Sequence, residues 1–505
     1  MPGLVVWLDA SHAPSLQVDT QQRLTHWRNR VGDHHHARAG SPDSAPRFEA
    51  SAIDGRPAIY FREGSRMQLD ALDGERGGVT LFAVFHRAAA DTSDERWQRV
   101  LSCWNGVTPN DTQSPSFFLD TGGIGGLQPP TILSVMASGV DFGPMTLGMN
   151  QAKGDEDLRG NLAELLIYDR AFLVYEQFDD VRSYLRAKWE LTAADEGDWT
   201  RVGPLPNSPA RQTNHLPLSD QANVGDWQPL IRLWDEFETS RLDTSKWWDH
   251  HPNWYGRAPA RFLPRNVAVE AGQLRLRMRH EPDLPQEVLY ENGESYHSFS
   301  SASVVSKQFV RYGYYEIQAR PMASAGSSAW WFSASVHDTS GATHRTEIDV
   351  FELGGRAPGH ESLYHMNTHI FDVPATGKKH FSRGGQWKAP YRFVDADHVF
   401  GLHWTDEFLE YYVDGVLVRR QPNEYWHAPV KMIFDSETMG NWLGMPEVTD
   451  LPSTFSVEYV RAWTNASTVQ DHVSRFRVPA VGDWGPTDRT RYVRRFEREH
   501  RLGDE

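Results

Sequence analysis

Along the first part of the chain, short apolar runs are separated by Gly, Pro, Asp and Ser. Leu4–Leu8, Ala58–Phe61, Thr80–Phe85, Phe117–Leu119 and Leu162–Tyr168 are rich in β-branched and aromatic residues, a pattern that predicts the strands of a β-sandwich. At Val174 the period changes. Val174, Phe178, Val181, Leu185 and Trp189 recur at three- or four-residue steps, which predicts a helix with one face laid on the sandwich. Residues 192–226 are rich in Pro, Gly, Asn, Ser and Asp without an apolar period, so they read as a linker. Half-buried alternation then resumes in Gln273–Met278, Gly313–Ala319, Ala329–Ala334, Phe408–Val413 and Phe455–Trp463, and Val413-Asp-Gly-Val416 is a hairpin-turn signal. The expected fold is all-β, with two β-sandwich domains joined by a linker and a helix closing the first. The boundaries are 1–191, a linker at 192–226, 227–466 and a polar C-terminal extension at 467–505.

Composition narrows the function classes. A chain of 505 residues exceeds the roughly 250–300 residues at which single cores stop growing, in keeping with two domains. No run reaches the roughly 18 apolar residues of a membrane span. A net charge of −16 and a pI near 5.8 exclude a general nucleic-acid binder, whose affinity comes from neutralising phosphates. A lone Cys103 excludes an internal disulfide framework and a thiolate zinc site. The 19 Trp supply flat amphipathic rings of the kind that meet sugars.

The segment Arg345-Thr-Glu-Ile-Asp-Val-Phe-Glu352 carries the candidate chemistry. In a strand Arg345, Glu347 and Asp349 share one face, while Ile348 and Val350 point into the core. Strict alternation would turn Glu352 inward, where an unpaired carboxylate is costly. A β-bulge near Val350–Phe351 would return it to the polar face. Either these acids form a solvated strand face, or their crowding splits their pKa values into an ionised nucleophile and a protonated acid.

The hexad Glu-Ile-Asp-Val-Phe-Glu matches the E-x-D-x-x-E signature of glycoside hydrolase family 16, and "WDEFETSRLDTSKWW", "NVAVEAGQLRLRMR", "VRYGYYEIQARP", "SSAWWFS", "MNTHIF", "HVFGLHWTDEFLEYYVDGVLVRR" and "FSVEYVRAW" follow in that family's order. Residues 230–465 therefore resemble it. The resemblance implies a curved β-jelly-roll with Glu347 as nucleophile, Glu352 as general acid/base and Asp349 tuning both. It implies a polysaccharide partner, no cofactor for catalysis, and a calcium ion on the convex face. Glu458 stands where relatives usually have Asp, so it is the candidate calcium ligand. The phrases "VVWLDAS", "GRPAIYF", "LFAVFHR" and "AELLIYDRAF" resemble laminin-G-like, concanavalin A-like domains, either sugar-binding or structural.

Trp254, Trp330, Trp331, Trp387 and Trp442 are candidate sugar platforms. Trp330 and Trp331, being adjacent, face opposite sides, and Trp331 is the cleft candidate. His365, Asn367 and His369 share a strand face. Residues four apart on a strand lie about 13 Å apart, too far to ligate one ion, so substrate hydrogen bonding, or His369 supporting Glu352, is expected. Two loops contain no acid: Asn253–Asn266, with Arg257, Arg261 and Arg265, and Val373–Val394, with Lys378, Lys379, Arg383, Lys388 and Arg392. Arg257, Arg261, Lys378, Lys379 and Arg383 are thus candidate anion readers.

"WYGRAPARFLPRNV" and "MNTHIF" look most like enzymes of red-algal galactans: agarases, porphyranases, carrageenases and furcellaranases. The basic loops tilt the expected substrate toward sulfated carrageenan or furcellaran. Laminarinase-like β-glucanase and a non-catalytic carbohydrate-binding protein are the alternatives. The resemblance implies a monomer that is secreted or held at the cell surface or in the periplasm, although the opening run Met1-Pro-Gly-Leu-Val-Val-Trp-Leu8 lacks a signal-peptide pattern.

Overall fold

Every residue of the strand Gly160–Tyr168 is buried, which requires that both of its faces be covered. On one face lies the sandwich core, where Val6, Leu8, Leu81, Ala83, Leu165 and Ile167 are fully enclosed. On the other lies the helix Tyr175–Trp189, which buries Phe178, Val181, Leu185 and Trp189. The computed structural model describes residues 3–72, 78–87, 99–103, 117–120, 130–138, 143–149, 157–170, 175–192, 195–289, 293–373, 380–465, 476–477 and 494–496. Val174, expected in the helix, lies outside them. The chain divides into two compact units, with the break after Pro206.

The first unit is a two-sheet sandwich. One sheet runs in the order Thr131–Ser138, Gly78–Arg87, Gly160–Tyr168, Arg56–Phe61, Arg47–Ile53, with Leu4–Asp9 also paired to Gly160–Tyr168. The other is built of shorter strands, among them Arg99–Cys103, Met145–Leu147, Met67–Leu69 and Leu24–Trp27. Three-residue strands are too short to show alternation, which is why the sequence pattern missed them. Glu164 ties the helix to the sheet. It is fully buried and accepts hydrogen bonds from Trp7 Nε1 and Trp189 Nε1, each at 2.6 Å, and from the Tyr184 hydroxyl at 2.9 Å, with Lys188 Nζ 2.9 Å away.

The second unit has two antiparallel layers. The layer that carries the site runs in the order Phe299–Ser306, Lys431–Glu437, Ser327–Asp338, Thr343–Leu353, Leu363–Asp372, Gly385–Lys388. The other places Gln273–His280, Ser453–Thr464, Gly313–Arg320, His398–Trp404 and Phe408–Val413 side by side. Phe351 joins the layers, 4.6 Å from Phe400 and 6.0 Å from Phe455 between ring centroids. Both units are β-sandwiches, so the all-β expectation holds.

Residues 207–226 pack on the second unit. Glu316, fully buried there, accepts from Arg211 Nη2 at 2.6 Å and from the Leu218 N–H at 2.7 Å. Asp220 caps the following turn through the N–H groups of Val224 and Gly225 and through Trp227 Nε1. Side-chain acceptors hold this stretch, so it needs no apolar period. Among the described residues, no helix is long and apolar enough to cross a membrane.

Glu164→Ala leaves two indole N–H groups without their acceptor, while Lys188 keeps Asp9 at 2.9 Å, a loss of about 1–3 kcal/mol for each unsatisfied group. The expected outcome is faster hydrogen exchange over residues 160–168 of the full chain; unchanged exchange would show that the hub contributes little.

Candidate active site

In the strand Thr343–Leu353, Trp331 pairs with Asp349 while its neighbour Trp330 pairs with Phe351, so Val350 is an extra residue in a bulge. Val350 and Phe351 are both fully buried. Two successive apolar side chains thus enter the core, and Glu352 returns to the face of Glu347 and Asp349. These three carboxyls line a cleft of about 910 Å³ together with His251, Trp254, Arg257, Trp331, Arg345, Lys431 and Glu437.

Strand register arranges the site in three rows. Lys431, Ser333, Glu347 and His369 form one; Ile433, Trp331, Asp349 and Asn367 the next; Asp435, Ala329, Glu352 and His365 the third. His369 is therefore the neighbour of Glu347, and its Nε2 stands 3.3 Å from Asp349. The expectation that His369 supports Glu352 is corrected. Because the bulge adds a residue between Asp349 and Glu352 but none between Asn367 and His365, the partner of Glu352 is His365. That histidine is buried, contacts His360 and Gln386 at 2.9 Å each, and is pushed down to about 4 by burial and by His360.

Across the sheet beyond Ser327–Asp338, the strand Lys431–Glu437 adds two acids, Asp435 and Glu437, both buried. Glu437 accepts from Arg257 Nε at 2.6 Å, and Asp435 accepts from Trp331 Nε1 at 2.8 Å. Sequence reasoning missed them, although Phe434-Asp-Ser-Glu437 repeats the two-residue spacing of Glu347 and Asp349.

Carboxyls outnumber cations here, so burial dominates their protonation. Burial and Asp349 push Glu347 up to about 8, against the pull of His369, Arg345 and the Ser333 hydroxyl. Burial and Glu437 push Asp349 up to about 8, opposed by Arg257. Glu352 is also raised, by burial, Asp349, Glu437 and Glu347, with Arg257 opposing. Glu347 has the most groups that favour its ionised form.

The other candidates separate by position. Trp254 meets Trp331 edge-on at 6.3 Å, and His251 stacks on Trp331 at 6.1 Å. Arg345 lies 4.4 Å over the Phe371 ring. Asn367 Oδ1 accepts the Thr368 N–H at 2.9 Å. Trp442 is exposed, edge-on to His365 at 4.9 Å. Trp330 and Trp387 are buried in the core.

The arginines of the basic loops are paired. Arg257 pairs with Glu437, Arg261 with Glu287 and Arg265 with Glu281, each at 2.6 Å; Arg383 pairs with Glu424 at 3.1 Å and Arg392 with Asp395 at 2.7 Å. Arg261 is also 1 % exposed, so it is corrected from a substrate ligand to a structural cation. All of these acids lie outside the two loops, Asp395 by a single residue, where a local count of charge does not find them. Lys378 and Lys379 lie outside the described residues.

Ligand atoms of Glu347, Asp349 and His369 all lie within 4.8 Å of one another, close enough to hold a cation. Glu458 is exposed on the opposite layer and belongs to no such group among the described residues; a calcium ion there would take its other ligands from elsewhere, such as backbone carbonyls.

Residues 227–465 match the family described as beta-porphyranase A–D, GH16 domain. These residues are a GH16 domain. Beta-porphyranase D of Zobellia galactanivorans is 33% identical over 189 residues, 34% of this chain and 43% of that protein. Glucan endo-1,3-beta-glucosidase A1 of Niallia circulans is 26% identical over 309 residues, 53% of this chain and 42% of that protein. The chain thus spans less than half the length of these two relatives. Among solved structures, porphyranase B of Zobellia galactanivorans is similar at 21% identity and a TM-score of 0.42, over 52% of this chain and 97% of that one.

The raised carboxyls of the GH16 domain make its stability fall with pH. A group that binds its proton more tightly when folded contributes stability that is complete below its unfolded pKa, near 4, and is lost as pH rises through about 8 for Asp349. Asp349→Asn and Glu352→Gln should therefore flatten the decline of Tm between pH 5 and pH 9. Curves parallel to wild type would refute the assignment.

Proposed function

We propose that this protein is a retaining endo-glycoside hydrolase that cleaves β-linkages in red-algal galactans, of porphyran or agar type ahead of carrageenan type. The observation that carries the proposal is the bulge at Val350, which presents Glu347 and Glu352 together in one cleft of a GH16 domain. In the first step Glu352 gives its proton to the glycosidic oxygen while the Glu347 carboxylate attacks the anomeric carbon. In the second, Glu352 takes a proton from water, which displaces Glu347 with a second inversion. Asp349 and Glu352 disfavour ionising together, and His369 and Arg345 favour the ionised form of Glu347. Trp254, Trp331 and His251 supply ring faces for the sugar. No cofactor enters this scheme.

The tilt toward carrageenan or furcellaran depends on loop arginines that are free to meet sulfate. With Arg257, Arg261 and Arg383 each facing a carboxylate, these arginines lend that tilt less support, and the family description favours porphyran. The first unit is read as a laminin-G-like sandwich that binds sugar or serves as structural support. The mode of action suits a protein that works outside the cytoplasm.

Reducing-end release from porphyran, agarose, carrageenan, furcellaran and laminarin tests the substrate. Porphyran or agarose is expected to be cleaved; laminarin alone would make the enzyme a β-glucanase, and retention of polymer without cleavage a binding protein. Glu347→Gln and Glu352→Gln should each lower kcat by about 10³-fold or more without loss of fold. The first-formed product should keep the β configuration by NMR; an initial α-anomer would exclude double displacement.

A further inference from the structure

Two fixed points at the C-terminal end of the chain hold the two ends of one cleft loop. Residues 249–263 carry His251, Trp254 and Arg257 into the cleft. At the start of this stretch, Asp249 accepts two hydrogen bonds from Arg494 Nη2, at 2.8 and 2.6 Å, and contacts His250 Nδ1 at 2.8 Å. At its end, Phe496 is 3 % exposed and packs with Leu263 and Leu284. The guanidinium of Arg261 lies 3.8 Å over the Phe496 ring while paired to Glu287.

Between these points the stretch is held to the sheet. Tyr296 donates to the Gly256 carbonyl at 2.8 Å and Thr438 to the Arg257 carbonyl at 3.0 Å. Gly256 has a φ of +104°, a backbone state that favours glycine and sharply turns the loop next to Trp254.

We propose that Arg494 and Phe496 are positioning residues that clamp the 249–263 loop and so set Trp254 and Arg257 against the substrate. A buried aromatic at one end and an ion pair at the other restrict the stretch on either side of its more exposed middle. The clamp supplies pre-organisation of the binding surface and takes no part in proton transfer. It also gives Arg261 a role that its sequence position did not suggest.

The proposal rests on the glycosidase reading for its kinetic arm only. Arg494→Ala and Phe496→Ala in the full chain should raise KM for the cleaved polymer about five-fold with kcat little changed, the signature of lost substrate positioning. In a Trp254→Ala background the same substitutions should add little, because the residue they position is gone. Arg494→Lys should recover part of the loss. Hydrogen exchange needs no substrate: uptake should rise over residues 249–263 and stay unchanged over 343–353. If no polymer is cleaved, the exchange arm alone decides the clamp. Unchanged uptake over 249–263, a general rise across the domain, or an equal KM penalty with and without Trp254 would each overturn it.

Discussion

One inserted residue governs the catalytic unit. Without the bulge at Val350, the two-residue period of the strand would put Phe351 in the cleft and Glu352 in the core. With it, Phe351 reaches Phe400 and Phe455 across the sandwich, and Glu352 joins Glu347 and Asp349. The same contact therefore closes the core and completes the site. It also sets which histidine faces which acid, since pairing with Leu363–Asp372 changes step at the bulge.

The cleft that results is short of cations. Glu347, Asp349, Glu352, Asp435 and Glu437 are gathered around Arg257 and Arg345, and removal from water acts on all of the acids in one direction. Differences between them come from local partners. Glu347 has His369, Arg345 and Ser333 to favour its charge, whereas Glu352 has Arg257 opposed by three acids, Asp349, Glu437 and Glu347. Two chemically identical side chains thereby stand in different electrostatic surroundings.

Arginine chemistry in this unit is mostly structural. Arg257 orients Glu437, Arg261 bridges Glu287 and Phe496, and Arg265, Arg383 and Arg392 each meet a carboxylate. An acidic chain places these arginines where they neutralise buried or crowded acids, so the described arginines of the loops that looked basic are each balanced by a carboxylate.

Much of the fold was legible because its determinants are local. Alternation marks the long strands, the three- and four-residue step marks the helix after residue 174, and the E-x-D-x-x-E spacing marks both the acids and the need for a bulge. Strands of three residues, and the packing of 207–226 through Glu316 and Asp220, left no periodic trace. Tertiary structure alone decided that Asp435 and Glu437 join the site, that His365 and not His369 faces Glu352, and that Arg261 is buried. Each of these depends on which strand lies beside which and on partners tens or hundreds of residues away. A sequence specifies the face on which a side chain lies, through backbone geometry, but what stands opposite that face is set only when the sheets pair.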